Sequence, residues 1–129
     1  MKVVALDSDS GIWSSDIDDE LSKIKKLNVR MKAILGILLD EVRCCSTTKS
    51  EFPFEFGDIS GFFWYCLPEH QGSFAFFPVV IGDIKGDAQL FNKWCEIEEQ
   101  DESNDYTSLK SRENKADEFI NYIKQLHTN

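Results

Sequence analysis

The region between residues 52 and 97 constrains the fold more than any other, because it consists of short aromatic and β-branched runs separated by turn residues. Gly-Asp pairs and a proline end the first three runs, and the fourth leads into an acidic stretch. Runs of this length and composition predict antiparallel strands joined in a meander. Pro78 inside the third run predicts an edge strand, a bulge or two shorter strands. The runs are Phe52–Phe56, Phe62–Leu67, Phe74–Ile81 and Leu90–Ile97.

A second pattern precedes the predicted sheet. From Ile17 to Cys45, apolar residues recur at spacings of three and four, which predicts a helix of about eight turns unless it is kinked near Asn28 or Gly36. Aspartates near its start favour a helix N-terminus. The apolar stripe widens in its second half, which favours packing on a sheet. Dimerisation through a coiled coil is the alternative.

The two ends of the chain complete the expected fold. Val3–Leu6 can add a strand, Glu98–Ser111 is predicted to be a polar loop, and the tail from Arg112 has one apolar helical face. That face carries Ala116, Phe119, Ile120, Ile123 and Leu126. The sequence therefore predicts a single α+β domain over residues 1–129. It would contain an antiparallel meander of about four to five strands, packed against a long N-terminal helix and a C-terminal helix.

The charge of the chain restricts its partners. Fourteen Lys and Arg oppose 23 Asp and Glu, giving a formal charge of −9. General nucleic-acid binders need clustered positive charge, so this class is excluded. The acidity is concentrated in residues 51–109, where two bases oppose twelve acids, whereas residues 21–50 carry seven bases and two acids. This distribution predicts an anionic face that meets a cationic partner.

Localisation is predicted from apolar patterning. The longest apolar stretch, Ala33–Leu39, is far shorter than the 18 or so residues that a membrane span needs. The N-terminus reaches Asp7 too early for the apolar region of a signal peptide. We therefore expect a cytoplasmic protein without membrane partners. Its four cysteines should then be reduced and mainly buried.

Catalytic motifs are weak. The two histidines, His70 and His127, lie in no recognisable motif. Asp7 and Asp9 follow an apolar strand and resemble the nucleophile motif of haloacid-dehalogenase-type phosphatases, but Ser10-Gly11 replaces the expected threonine. We predict no catalytic residue, no metal site and no cofactor. A small metal-dependent hydrolase or phosphatase using the two aspartates is kept as an alternative.

The acidic set is the most distinctive remaining feature. It is either an ordinary solvated loop or an anionic face complementary to a cationic protein. Trp94 can anchor such an interface, although tryptophans are also common in cores. The candidate binding residues are Asp83, Asp87, Trp94, Glu96, Glu98, Glu99, Asp101 and Glu102.

With these features the chain resembles an immunity protein of a bacterial polymorphic toxin system, in particular the contact-dependent growth inhibition type. The resemblance rests on size, acidity, the α+β layout and the lack of a catalytic motif, and it centres on Phe62–Glu99. It implies a cytosolic protein, not an enzyme, that binds its cognate toxin domain and blocks the active site. Such toxins are often nucleases, here expected to be an RNase. A homodimeric adaptor is a further alternative.

Overall fold

The computed structural model describes residues 2–8, 11–16, 47–67, 75–100 and 108–128. These residues form five strands and two helices in an α+β arrangement. The strands are β1 (Lys2–Asp7), β2 (Gly11–Asp16), β3 (Thr47–Phe56), β4 (Ile59–Leu67) and β5 (Ala75–Gly82), and the helices are α1 (Asp87–Gln100) and α2 (Leu109–His127).

All strand pairs are antiparallel, and the order across the sheet is β2-β1-β5-β4-β3. The predicted meander is confirmed for β3, β4 and β5, and the predicted N-terminal strand is confirmed as β1. β2 was not predicted, because Gly11–Asp16 contains only two large apolar residues among glycine, serines and an aspartate. β2 and β3 form the opposite edges of the sheet, and β5 lies in the centre.

The prediction of a strand at Leu90–Ile97 is wrong, because this run lies within α1. Its buried residues Leu90, Trp94 and Ile97 are spaced by four and three, which is a helical period that a short apolar run can conceal. The amide of Leu90 donates to the carbonyl of Gly86 at 3.0 Å, in the first turn of this helix. The stretch from Gly82 to Asp87 therefore connects β5 to α1 instead of joining two strands of the meander.

The structure confirms the C-terminal helix but not the long N-terminal one. Both described helices follow the sheet in sequence, and the helix predicted over residues 17–45 lies outside the described residues. α2 begins three residues earlier than predicted, because the Ser108 hydroxyl accepts a hydrogen bond from the Ser111 amide at 3.3 Å and caps the helix. Of the predicted loop at 98–111, residues 98–100 and 109–111 therefore lie in helices, and residues 101–107 lie outside the described residues.

Pro78 lies inside a continuous central strand rather than at an edge. It is opposite Phe63 of β4, whereas the pairing of β5 with β1 ends at Val79 and Ala5. Pro78 is thus the neighbour of the last β5 residue that pairs with β1. Its missing N–H therefore costs no hydrogen bond to β1.

Aromatic packing joins the helices to one face of the sheet. Phe63 of β4 lies 5.9 Å from Trp94 of α1 and 6.0 Å from Phe119 of α2, measured between ring centroids. Trp94 and Phe119 also meet edge to face at 5.5 Å. Phe76 of β5 stacks on Phe63 at 5.5 Å. Rings from two strands and two helices therefore form one continuous core.

The opposite face of the sheet is buried as well. Phe62, Trp64, Phe77 and Val79 are each at most 2% exposed, and Trp64 stacks on Phe77 at a centroid distance of 6.2 Å. Burial on both faces explains why β4 and β5 are apolar almost throughout instead of alternating with polar residues.

Gly61 allows the edge strand β3 to pack on the sheet. The register between β3 and β4 shifts after Glu51, and Phe54 is then opposite Gly61. A Cβ atom added to Gly61 would lie 2.5 Å from the Phe54 ring and 2.3 Å from the carbonyl oxygen of Val79. The space that a side chain would need is therefore occupied by the Phe54 ring and by backbone.

We expect Gly61→Ala to lower the free energy of unfolding by about 3 kcal/mol, the upper end of the usual cost of overpacking a core, because the clash includes backbone. Urea denaturation measures this loss. Gly57→Ala is the comparison, because its Cβ has open space but its φ of 56° is left-handed. The comparison variant should lose about 1 kcal/mol from backbone strain alone. Equal losses in the two variants would contradict the steric role of Gly61.

Candidate functional site

The residues that the sequence singled out fall on the β5–α1 connection and on α1. Asp83 is exposed in the connection. Asp87 is half-buried in the first turn of α1 and forms an ion pair with Lys2 of β1. Asp101 and Glu102 lie outside the described residues. The structure thus brings Asp87 to the sheet and leaves Asp83 in solvent.

The outer side of α1 carries two exposed carboxylates. Glu96 lies 3.6 Å from the ammonium of Lys93, which is also 3.6 Å from Glu118 of α2. Glu99 is exposed and forms no ion pair within the described part of the chain. Of these two glutamates, Glu99 is therefore available to a partner, whereas Glu96 already shares the charge of Lys93.

Trp94 and Glu98 face the interior instead. Trp94 is fully buried among the core rings, so it has no surface with which to anchor a partner. Glu98 is 8% exposed, and its Oε2 accepts a hydrogen bond from Lys115 Nζ at 3.2 Å. The predicted binding role of these residues assumed that Trp94 lies in a strand and Glu98 in a loop, whereas both lie in α1 in the structure. Helical spacing places both residues on its inner side.

A polar cluster that was not predicted joins β3 to α2. Arg112 forms a bidentate ion pair with Glu51, with Nε to Oε2 at 2.8 Å and Nη2 to Oε1 at 3.1 Å. Lys49 lies 3.1 Å from the same carboxylate. The Arg112 guanidinium also lies 3.9 Å from the centroid of the Tyr65 ring. This cluster fixes the first turn of α2 to the edge strand.

The cluster shifts the acidity of Glu51. Burial raises its pKa. Hydrogen bonds from Arg112 and Lys49, together with the charges of these two residues, lower the pKa by more than burial raises it. The net result is a pKa below the usual value of a glutamate. Glu51 is therefore a carboxylate that the fold keeps ionised and uses internally.

Most cations of the described residues form ion pairs with carboxylates of the same chain. Lys2, Lys49, Lys93, Arg112 and Lys115 all neutralise carboxylates of the chain itself. Several exposed carboxylates form no ion pair within the described ranges. Only three lysines of these ranges likewise form no ion pair. The carboxylates are Glu55, Asp58, Asp83, Glu99, Glu113 and Asp117, and the lysines are Lys85, Lys110 and Lys124.

Two clefts lie along α2. The larger, of about 490 Å³, separates it from β3 and is lined by Pro53, Phe54, Glu55, Asp117, Ile120, Asn121 and Lys124. The smaller, of about 260 Å³, lies between α1 and α2 and is lined by Ile97, Gln100, Ser111, Asn114, Lys115 and Glu118. Sequence reasoning missed both clefts, because each is formed by residues from two separate elements.

The histidine and aspartates considered for catalysis occupy different places. His127 Nε2 accepts a hydrogen bond from the Lys85 amide at 3.2 Å, and Nδ1 lies 3.1 Å from the Ile123 carbonyl oxygen. This histidine therefore holds the end of α2 to the β5–α1 connection. Asp7 ends β1, and Asp9 and His70 lie outside the described residues. Within the described ranges, no group of three His, Cys, Asp or Glu side chains could hold a metal ion.

Comparisons with known proteins add no relative. No family model matches the chain, and neither a curated protein nor a solved structure shows significant similarity to it. Neither α1 nor α2 is long and apolar enough to cross a membrane.

The lowered pKa of Glu51 predicts acid sensitivity. A carboxylate whose pKa is lower in the folded state contributes stability above its unfolded pKa of about 4.3 and loses it as the pH falls through the folded value. We therefore expect Glu51→Gln to be less stable than wild type at pH 6, with the difference shrinking towards pH 3. Urea denaturation at several pH values measures this. Glu55→Gln, four residues along the same strand, controls for loss of charge. A Glu51→Gln deficit that is constant with pH would contradict the role of the ion pair.

Cys95 should react slowly with thiol reagents. It is partly buried in α1, and burial followed by the charges of Glu99 and Glu98 raises the pKa of its thiol. We expect iodoacetamide at pH 8 to alkylate it more slowly than free glutathione, as measured by mass spectrometry of its peptide. Glu99→Gln should speed alkylation about twofold, the scale of one like-charge contact on a helix, whereas Glu96→Gln should not. Equal rates for the two variants would contradict the influence of Glu99.

Proposed function

We propose that this protein is an immunity protein, which binds a cationic toxin domain and blocks its active site. The supporting observation is the excess of exposed carboxylates without ion pairs over similarly free lysines. A surface of this kind attracts basic proteins and repels nucleic acid. The basic groups that bind phosphate in a nuclease are a matching target, and an RNase is the expected case.

Internal ion pairing determines which charges remain for a partner. The five paired cations are held by carboxylates of the same chain, and Arg112 and Lys115 are in addition buried. Because these pairs use carboxylates as well as cations, pairing leaves the net negative charge unchanged and places it on the unpaired carboxylates.

The mechanism is occlusion, in which carboxylates take the place of substrate phosphates. Exposed ion pairs contribute little individually, so tight binding also needs an apolar anchor. Trp94 is unavailable because it is buried. Leu109, at the start of α2, is 58% exposed, and Ile12 of the edge strand β2 is 39% exposed. These two side chains are the large apolar groups that the described surface offers.

We expect a toxin-domain gene immediately upstream of this protein's gene, and the test is a titration against the domain that it encodes. We expect nuclease activity to fall to zero at one equivalent, with an association rate that decreases as salt increases. At 0.05 M salt, Asp83→Asn with Glu99→Gln should slow association about three- to tenfold.

The matched control is Gln125→Lys with Thr128→Lys, which changes the net charge by the same amount at exposed positions near the end of α2. It should change the logarithm of the association rate by less than half as much. Undiminished toxin activity at a tenfold excess of wild-type protein would contradict the proposed function. Salt-independent association would contradict the electrostatic mechanism.

A further inference from the structure

The ring of His127 joins the last turn of α2 to the β5–α1 connection. The backbone amide of Lys85, in that connection, donates a hydrogen bond to Nε2 of the ring at 3.2 Å. The other ring nitrogen, Nδ1, lies 3.1 Å from the carbonyl oxygen of Ile123. One side chain therefore bridges two segments that are 42 residues apart in the chain.

These two contacts determine where the ring carries its hydrogen. A carbonyl oxygen only accepts, so Nδ1 is the donor towards Ile123. A backbone amide only donates, so Nε2 is the acceptor towards Lys85. The protonated ring carries a hydrogen on both nitrogens. Both contacts therefore exist together only in the neutral ring with its hydrogen on Nδ1.

Protonation affects the two sides of the ring differently. Towards Ile123 the hydrogen bond is retained, and a positive charge in the last turn of a helix is favourable. Towards Lys85 the new Nε2–H would point at the amide N–H, so two donors would oppose each other. Protonation thus leaves the last turn of α2 intact and breaks its link to the connection.

We propose that His127 is a pH-dependent link, which holds the end of α2 to the β5–α1 connection when the ring is neutral and releases it when the ring is protonated. Histidine is the side chain that ordinarily changes its charge between pH 5 and 8. His127 is the only histidine among the described residues. The proposal does not depend on the function proposed above.

The surrounding contacts confine the release to a short segment. At one end of the connection Gly82 pairs with Lys2 of β1, and at the other end Asp87 forms an ion pair with the same lysine. Between them the side chain of Ile84 is buried. The release therefore affects Lys85 and its neighbours together with the last turn of α2.

Charged groups occur on each of the elements that meet at this contact. They are Asp83 and Lys85 of the connection, Asp87 of α1, Lys2 of β1 and Lys124 of α2. Carboxylates and ammonium groups ordinarily keep their charge between pH 5.5 and 8. A change within this range therefore reports the imidazole ring.

The first experiment follows the imidazole nitrogens and the backbone amides of the full chain by NMR between pH 8 and 5.5. At pH 8 we expect the ring hydrogen of His127 on Nδ1. As the ring takes up a proton, exchange of the Lys85 amide with water, corrected for its intrinsic pH dependence, should become about fivefold faster, the scale of one hydrogen bond. The Phe119 amide should not change. A ring hydrogen on Nε2 at pH 8, or a Lys85 amide that does not follow the ring, would overturn the proposal.

The second experiment assigns the effect to the ring. His127→Phe keeps an aromatic side chain without an acceptor, so its Lys85 amide should exchange rapidly at both ends of the pH range, with Phe119 protected as in wild type. Asp83→Asn is the control, because it removes a charge from the same connection and should keep the pH-dependent change. A change with pH that persists in His127→Phe, or that disappears in Asp83→Asn, would assign the effect to another group and overturn the link.

Discussion

The ring contacts of Phe63 hold the described parts of this protein together. Within its own sheet Phe63 meets Phe76 and the two phenylalanines at the register shift of β3, and across the core it meets Trp94 and Phe119. Each such aromatic pair adds about 0.5–1.5 kcal/mol to the effect of burial alone. Phe63 is therefore the side chain through which both helices share one set of ring contacts with the sheet.

Local sequence patterns predicted the elements that are determined by residues close together in the chain. The meander, β1 and the C-terminal helix follow from alternation, turn residues and helical spacing. The strand prediction at Leu90–Ile97 rests on the length and the aromatic content of the run, whereas its buried residues Leu90, Trp94 and Ile97 lie at i, i+4 and i+7, which is a helical period. This one error also placed Trp94 and Glu98 on a surface that they do not reach.

The polar contacts could not be predicted from sequence in the same way. Glu51 and Arg112 are 61 residues apart, and nothing in the neighbourhood of either residue specifies the other. The net charge indicated the class of partner. It did not indicate which acidic residues form ion pairs within the protein. Only tertiary pairing separates Glu51 and Glu98, which form ion pairs inside the fold, from Glu55 and Asp117, which are exposed and form no ion pair with a described residue.

The irregularity of β3 has a consequence for aggregation. An edge strand exposes backbone donors and acceptors that can pair with a strand of another molecule. In β3 the left-handed Phe52 interrupts the extended backbone, and Pro53 lacks an N–H altogether. The strand therefore resists edge-to-edge polymerisation. A partner that approaches this side of the protein must be recognised through side chains rather than by extending the sheet.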